Sequence, residues 1–163
     1  MDIKLDIINE NDEVVGQGED LDMHKKELLH RSVHTLIVKN NKFYLRKRAA
    51  DRPRYPNYYT TPVGVHVLSG QTYEQVAKES LEKMYGLSLT LKFLGIVRVH
   101  DEYENEISYT YAVEITDEEI KPTNNEYGEF FTANEIDNLA KTEKITPYVL
   151  EAIKLHFKLK VED

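Results

Sequence analysis

Residues Gly64–Leu87 read GVHVLSGQTYEQVAKESLEKMYGL. A glycine-flanked loop leads into a helix of about four turns over residues 72–85, and the stretch closes on Gly86 and the aliphatic Leu87. At about 100° per residue, Tyr73, Val76, Ala77, Ser80, Leu81 and Met84 share one broad helical face. Glu74 and Glu82 project away from that face, and Glu79 sits at its margin near Lys83. The preceding PVGVHVL reads as a short strand feeding the loop, so the unit is strand, loop, helix, loop.

Strand signals flank this unit on both sides. Residues 3–8 (IKLDII) alternate, NENDE makes a turn, and Val14-Val15-Gly16 completes a short hairpin. The segment LDMHKKELLHR is a brief connector with one helical turn. HTLIVKNNKFYLRKR is a second hairpin, turning at Asn40-Asn41, a pair that tolerates positive φ. ADRPRYPNYYTTP holds three of the five prolines and reads as a rigid aromatic loop. After the helix come strands in LTLKFLGIVRVH and ISYTYAVEI, separated by the acidic DEYENE, and a last strand in EYGEFFT. Thr132 and Glu135 have capping-box spacing for a short helix. Thr146-Pro147 starts a final helix, with Tyr148, Leu150, Ile153, Leu155 and Phe157 mostly spaced for one buried side. The expected architecture is an α/β (α+β) sandwich on a mixed sheet, with residues 1–163 forming one domain.

Composition narrows the function classes. The chain is 40% hydrophobic and 31% charged, as expected of a soluble globular protein. It has no cysteine, which excludes disulfides, thiolate metal sites and a cysteine nucleophile. The acidic N-terminus lacks an apolar signal region and no apolar run has membrane-spanning length, so a cytoplasmic protein without a membrane partner is expected. The net charge of −8 hides a basic block: His24–Arg54 carries Lys25, Lys26, Arg31, Lys39, Lys42, Arg46, Lys47, Arg48, Arg52 and Arg54 against Glu27 and Asp51. A local basic block on an acidic chain suits a small phosphorylated ligand better than duplex nucleic acid. The oligomeric state stays open, a homodimer among the options.

The Gly64–Leu87 stretch resembles the Nudix box, Gly-x5-Glu-x7-Arg-Glu-aliphatic-x-Glu-Glu-x-Gly-aliphatic, in degenerate form. Leu81, Gly86 and Leu87 fit it. Val65 takes the opening Gly, Gln71 the loop Glu, Glu79 and Ser80 the Arg-Glu pair, and Lys83 and Met84 the metal-binding Glu-Glu. NENDEVVG, Leu29-His30-Arg31, the hairpin ending at residues 46–49, Tyr55-Pro56-Asn57-Tyr58-Tyr59-Thr60 and Glu104-Asn105-Glu106 resemble the Nudix branch related to isopentenyl diphosphate isomerases. That resemblance runs from Asn9 to the C-terminal helix and implies the Nudix α/β/α sandwich.

It also implies a site. Matching the isomerases' metal ligands are His30, His66, Glu104 and Glu106, with His24 a looser candidate because its spacing from His30 is off by one. Imidazole with carboxylate suits a divalent metal, here Mg, Mn or Zn. Glu104 and Glu106 are the catalytic candidates. Arg48 and Arg52 match diphosphate-holding positions, Arg46 lies beside them, and Tyr55 and Tyr59 are candidates to contact substrate. The isomerases' catalytic cysteine falls on Gly64, so alkene isomerisation is unsupported. His34 and His100 read as strand residues without a role, and His156 as helix surface or a packed residue. The implied function is a Nudix hydrolase-family protein binding a nucleoside or prenyl diphosphate, with metal-dependent hydrolysis atypical or lost. The alternatives are a non-catalytic phospho-ligand- or partner-binding Nudix fold and, less favoured, an isomerase-like enzyme.

Overall fold

A computed structural model describes residues 3–123, 126–142 and 144–162. Strands β1 (Lys4–Ile8) and β2 (Val14–Glu19) form a separate antiparallel hairpin, followed by a short helix α1 (Asp20–Lys25). The main sheet contains β3 (His30–Lys39), β4 (Lys42–Lys47), β5 (Tyr59–Thr60), β6 (Val63–His66), β7 (Lys92–His100), β8 (Asn105–Glu114) and β9 (Gly128–Phe131). Its order is β5-β4-β3-β8-β7, with β6 on β3 and β9 on β4. β3 and β8 run parallel while the other pairs are antiparallel, so the sheet is mixed. Helices α2 (Tyr73–Tyr85), α3 (Ala133–Ala140) and α4 (Pro147–Glu162) complete the order. Among the described residues no helix is long and apolar enough to cross a membrane.

Local chemistry sets the element ends. Asn40 and Asn41 adopt φ 50° and 61°, which closes the β3–β4 hairpin in two residues. Thr72 Oγ1 accepts from Gln75 N at 3.1 Å to start α2, and Gly86 at φ 68° stops it in the left-handed cap. Thr132 and Glu135 form the reciprocal capping box. At Thr146 the hydroxyl meets Thr60 Oγ1 at 3.0 Å, tying the start of α4 to β5. The buried side of α4 differs from expectation: Tyr148, Val149, Ala152 and His156 are buried, and Phe157 is 39% exposed. The spacing 149, 152, 156 keeps one stripe on the sheet; Leu150, Ile153 and Leu155 flank it half-buried against the same core, and Phe157 leaves it.

Alternation along β3 assigns the two sheet faces. Val33 and Ile37 pack with the α2 side chains Val76, Ala77, Leu81 and Tyr85 in the apolar clusters of one face. Leu36 and Val38 pack with Val149 and Ala152 of α4 on the other. His30, Ser32 and His34 have the parity of Leu36 and Val38, and therefore lie on the α4 face. Their partners on β8 are Glu106, Ser108 and Thr110. β3 also changes neighbour along its length, pairing with β6 at Ser32–Thr35 and with β4 only at Val38–Lys39. That divergence of β4 from β6 opens a cleft on the α4 face.

Candidate metal and anion site

Three histidines and two glutamates meet at the end of the cleft. The parallel register sets His30 beside Glu106, the β6 register sets His66 beside Ser32, α1 supplies His24, and the turn before β8 supplies Glu104. One ligand atom from each of the five lies within 4.8 Å of all the others. The three imidazole centroids stand 5.0, 5.1 and 5.3 Å apart. His30 and Glu106 are almost fully buried.

The histidine tautomers follow from their outer partners. His30 Nδ1 donates to Leu28 O at 2.8 Å and His24 Nδ1 donates to Asp20 O at 3.0 Å, because a carbonyl only accepts. His66 Nδ1 faces Asp20 Oδ1 at 3.4 Å. All three rings therefore turn Nε2 inward, and such outer bonds fix ligand orientation in metal sites. Inside, His24 Nε2 is 2.9 Å from Glu104 Oε2, His30 Nε2 2.9 Å from Glu106 Oε2, and His66 Nε2 3.3 Å from Glu106 Oε2.

Protonation shows the site's demand for positive charge. Burial and the neighbouring Glu106 push the Glu104 carboxyl up. Burial acts the same way on Glu106, but the imidazoles of His30 and His66 beside it outweigh it and hold Glu106 well below the usual carboxylate range. Burial opposes charge on His24 and His30, yet Glu104 and Glu106 raise both imidazoles. His30 Nε2, despite lying close to Glu106, makes no hydrogen bond among the described residues. An inward lone pair without a hydrogen bond, beside two carboxylates, fits a divalent cation.

The expected basic residues divide. Arg46 is buried, donating from Nε to Thr61 O at 3.0 Å and pairing through Nη1 with Glu126 at 2.6 Å, so much of its fork is already spent. Arg48 Nε donates to Arg54 O at 2.8 Å, and among the described residues it has no carboxylate partner. Burial and the cations Arg46 and Arg52 lower Arg48 to about 10, marking a place where an anion is favoured. Arg52 lies 3.9 Å from Glu126, and Arg54 Nε lies 2.9 Å from Glu104 Oε1. The cleft these residues line holds about 280 Å³.

The tyrosines also part company. Tyr55 lines the cleft, but its hydroxyl donates to Asp101 Oδ2. Asp101 Oδ1 in turn accepts from Tyr103 N and Glu104 N at 2.8 and 2.9 Å, so Tyr55 braces the turn that presents Glu104. Tyr59 does not line the cleft; it packs on the core with Phe131, ring centroids 5.1 Å apart. Its place on the short β5 strand turns it toward the helical layer.

Comparison with known proteins bears on the fold and its ancestry. No protein-family model matches the chain. An uncharacterized Nudix hydrolase of Nostoc sp. is 28% identical over 106 residues, covering 64% of this chain and 63% of that protein. The chain thus spans just under two thirds of that relative's length. An uncharacterized Nudix hydrolase of Listeria monocytogenes is 25% identical over 154 residues, covering 88% of each. A Deinococcus radiodurans crystal structure superposes with TM-score 0.75 at 22% identity, covering 94% of this chain and 97% of that one. A Nudix hydrolase from Nitrosomonas europaea superposes with TM-score 0.61 at 19% identity, covering 78% and 88%. The fold is that of the Nudix hydrolases. The relatives and the structural neighbours together support the Nudix hydrolase superfamily.

Helix α2, with Ser80, Lys83 and Met84, lies on the face of the sheet opposite this cluster. Ser80 Oγ is turned back to Val76 O at 2.6 Å, Lys83 is exposed, and Met84 packs against the apolar cluster. No α2 residue lines the cleft. His24, the looser candidate on spacing, joins the cluster because α1 folds back over β1 and β2. His34 and Tyr148 are the residues sequence reasoning missed. Both line the cleft, their rings stacked 3.7 Å apart at 9°, and Tyr148 Oη donates to Glu106 Oε1. Alternation with His30 was the one available signal for His34; nothing local marked Tyr148.

Proposed function

We propose that this chain is a metal-dependent hydrolase of a diphosphate-containing small molecule, working from His24, His30, His66, Glu104 and Glu106 in place of the usual helix carboxylates. The observation that carries the reading is the inward convergence of three Nε2 atoms and two carboxylates beside an arginine cluster. Imidazole-rich ligation favours Zn, and the carboxylates admit Mn or Mg. A bound divalent ion would supply Lewis-acid polarisation of a phosphoryl oxygen and acidify a water. Arg48 and Arg52, with Arg54 beside them, hold the diphosphate by charge-assisted hydrogen bonds. In the reaction, water oxygen bonds to phosphorus, the bridging P–O bond breaks, and its electron pair leaves with the departing phosphate. The proton released by the water goes to the Glu104/Glu106 pair.

An isomerase reading is disfavoured by one contact. A Cβ on Gly64 would stand 2.7 Å from His34 Cε1, so the residue matching the isomerases' cysteine faces a ring with no room for a side chain. The test is phosphate release from nucleoside and prenyl diphosphates with Mn, Zn or Mg. Release that disappears in Glu104→Gln with Glu106→Gln supports the site, and release that survives overturns it. Ligand-induced thermal stabilisation without release, lost in Arg48→Ala with Arg52→Ala, would instead establish a non-catalytic binder.

A further inference from the structure

His34 is a hydrogen-bond acceptor of fixed orientation at the cleft wall. Thr61 Oγ1 donates to Val63 O at 2.9 Å, which uses the hydroxyl's one hydrogen. His34 Nδ1, 2.7 Å from Thr61 Oγ1, must then carry the hydrogen of that contact. Burial drives the imidazole down to about 3, so it is neutral and Nε2 is a bare lone pair. Among the described residues Nε2 has no hydrogen-bond partner. The ring cannot turn away, being stacked on Tyr148 and backed by Gly64.

Two further observations indicate what Nε2 meets. A phosphate oxygen is itself an acceptor, so a neutral Nε2 takes a donor from another part of the ligand. Ser32 Oγ, two residues along the same face, is also buried without a partner and lines the cleft. The wall is otherwise polar or aromatic, Val65 being its one aliphatic side chain, and gives a branched hydrocarbon tail little to bury against. We infer that His34 is a specificity-determining residue whose Nε2 accepts a hydrogen bond from a ligand hydroxyl, selecting a ribose-type diphosphate over a prenyl diphosphate. This rests on the diphosphate reading above.

The test is equilibrium binding, with Mn²⁺ present, of three non-hydrolysable probes: methylenediphosphonate, α,β-methylene-ADP, and the 2′,3′-dideoxy form of the latter. A preference of roughly tenfold or more for the hydroxylated nucleotide is expected, since a site built to pair a hydroxyl rejects the analogue lacking it. His34→Phe should collapse that ratio. Ser32→Ala removes a hydroxyl without a protein partner, so it keeps the fold and should lower the same ratio. Equal binding of the two nucleotides, or a ratio unchanged in both variants, overturns the assignment of His34 while leaving the diphosphate reading intact. Failure of all three probes to bind overturns the diphosphate reading and this inference with it.

Discussion

Gly64 lies against His34 so closely that a Cβ there would meet the ring at 2.7 Å from Cε1 and 3.1 Å from Nδ1. The two residues are paired across β3 and β6, so neither backbone can retreat. Gly64→Cys should therefore cost about 1–3 kcal/mol by overpacking, measured by urea unfolding. In a His34→Ala background the same change should cost much less, giving a clear coupling in the double-mutant cycle. Additive effects would mean that the strand and the ring part easily.

The five-residue cluster should bind one Mn²⁺ or Zn²⁺. At a hundredfold excess over Kd, metal should stabilise the fold by about 2.7 kcal/mol. His30→Gln or Glu106→Gln should weaken binding by roughly a hundredfold in equilibrium dialysis. Chelation by EDTA should lower Tm of the wild type and leave the Glu104→Gln, Glu106→Gln double variant unmoved.

Helix α2 should be a spectator to metal. Glu79→Gln, Glu82→Gln and Lys83→Ala all lie across the sheet from the cluster and should change stability by no more than about 0.5 kcal/mol. Metal affinity should be unchanged in all three. A marked loss in Glu79→Gln or Glu82→Gln would put the ion back on the helix.

His34 should make stability depend on pH in acid. Its folded pKa of about 3 lies below the ordinary histidine value of 6.5, so between them the unfolded chain binds the extra proton. Stability is full above the unfolded value and falls as pH drops toward the folded one, by about 1.4 kcal/mol per unit. Measured by urea unfolding in EDTA, the wild type should lose about 1.6 kcal/mol more than His34→Gln between pH 6.5 and pH 5. Parallel curves would show that His34 is protonated in the fold.

Features encoded within a few residues were legible from the sequence. The Asn40-Asn41 turn, the Thr72 and Gly86 ends of α2, the Thr132–Glu135 box and the alternation of the strands depend on neighbours along the chain, and all appear as expected. Helical period alone also showed that Val76, Ala77, Leu81 and Met84 share one face of α2, and that face is the one packed on the sheet. The site was legible only in part. His30, His66, Glu104 and Glu106 were named by resemblance, but their approach within 4.8 Å depends on the parallel β3–β8 register, which joins residues 76 apart. His24 needed the fold of α1, Tyr59 was drawn into the core, and Arg46 was paired with Glu126 from a distant loop. His34 and Tyr148 carry no motif. Their meeting is set by which face of the sheet α4 covers, and packing decides that for the whole chain at once.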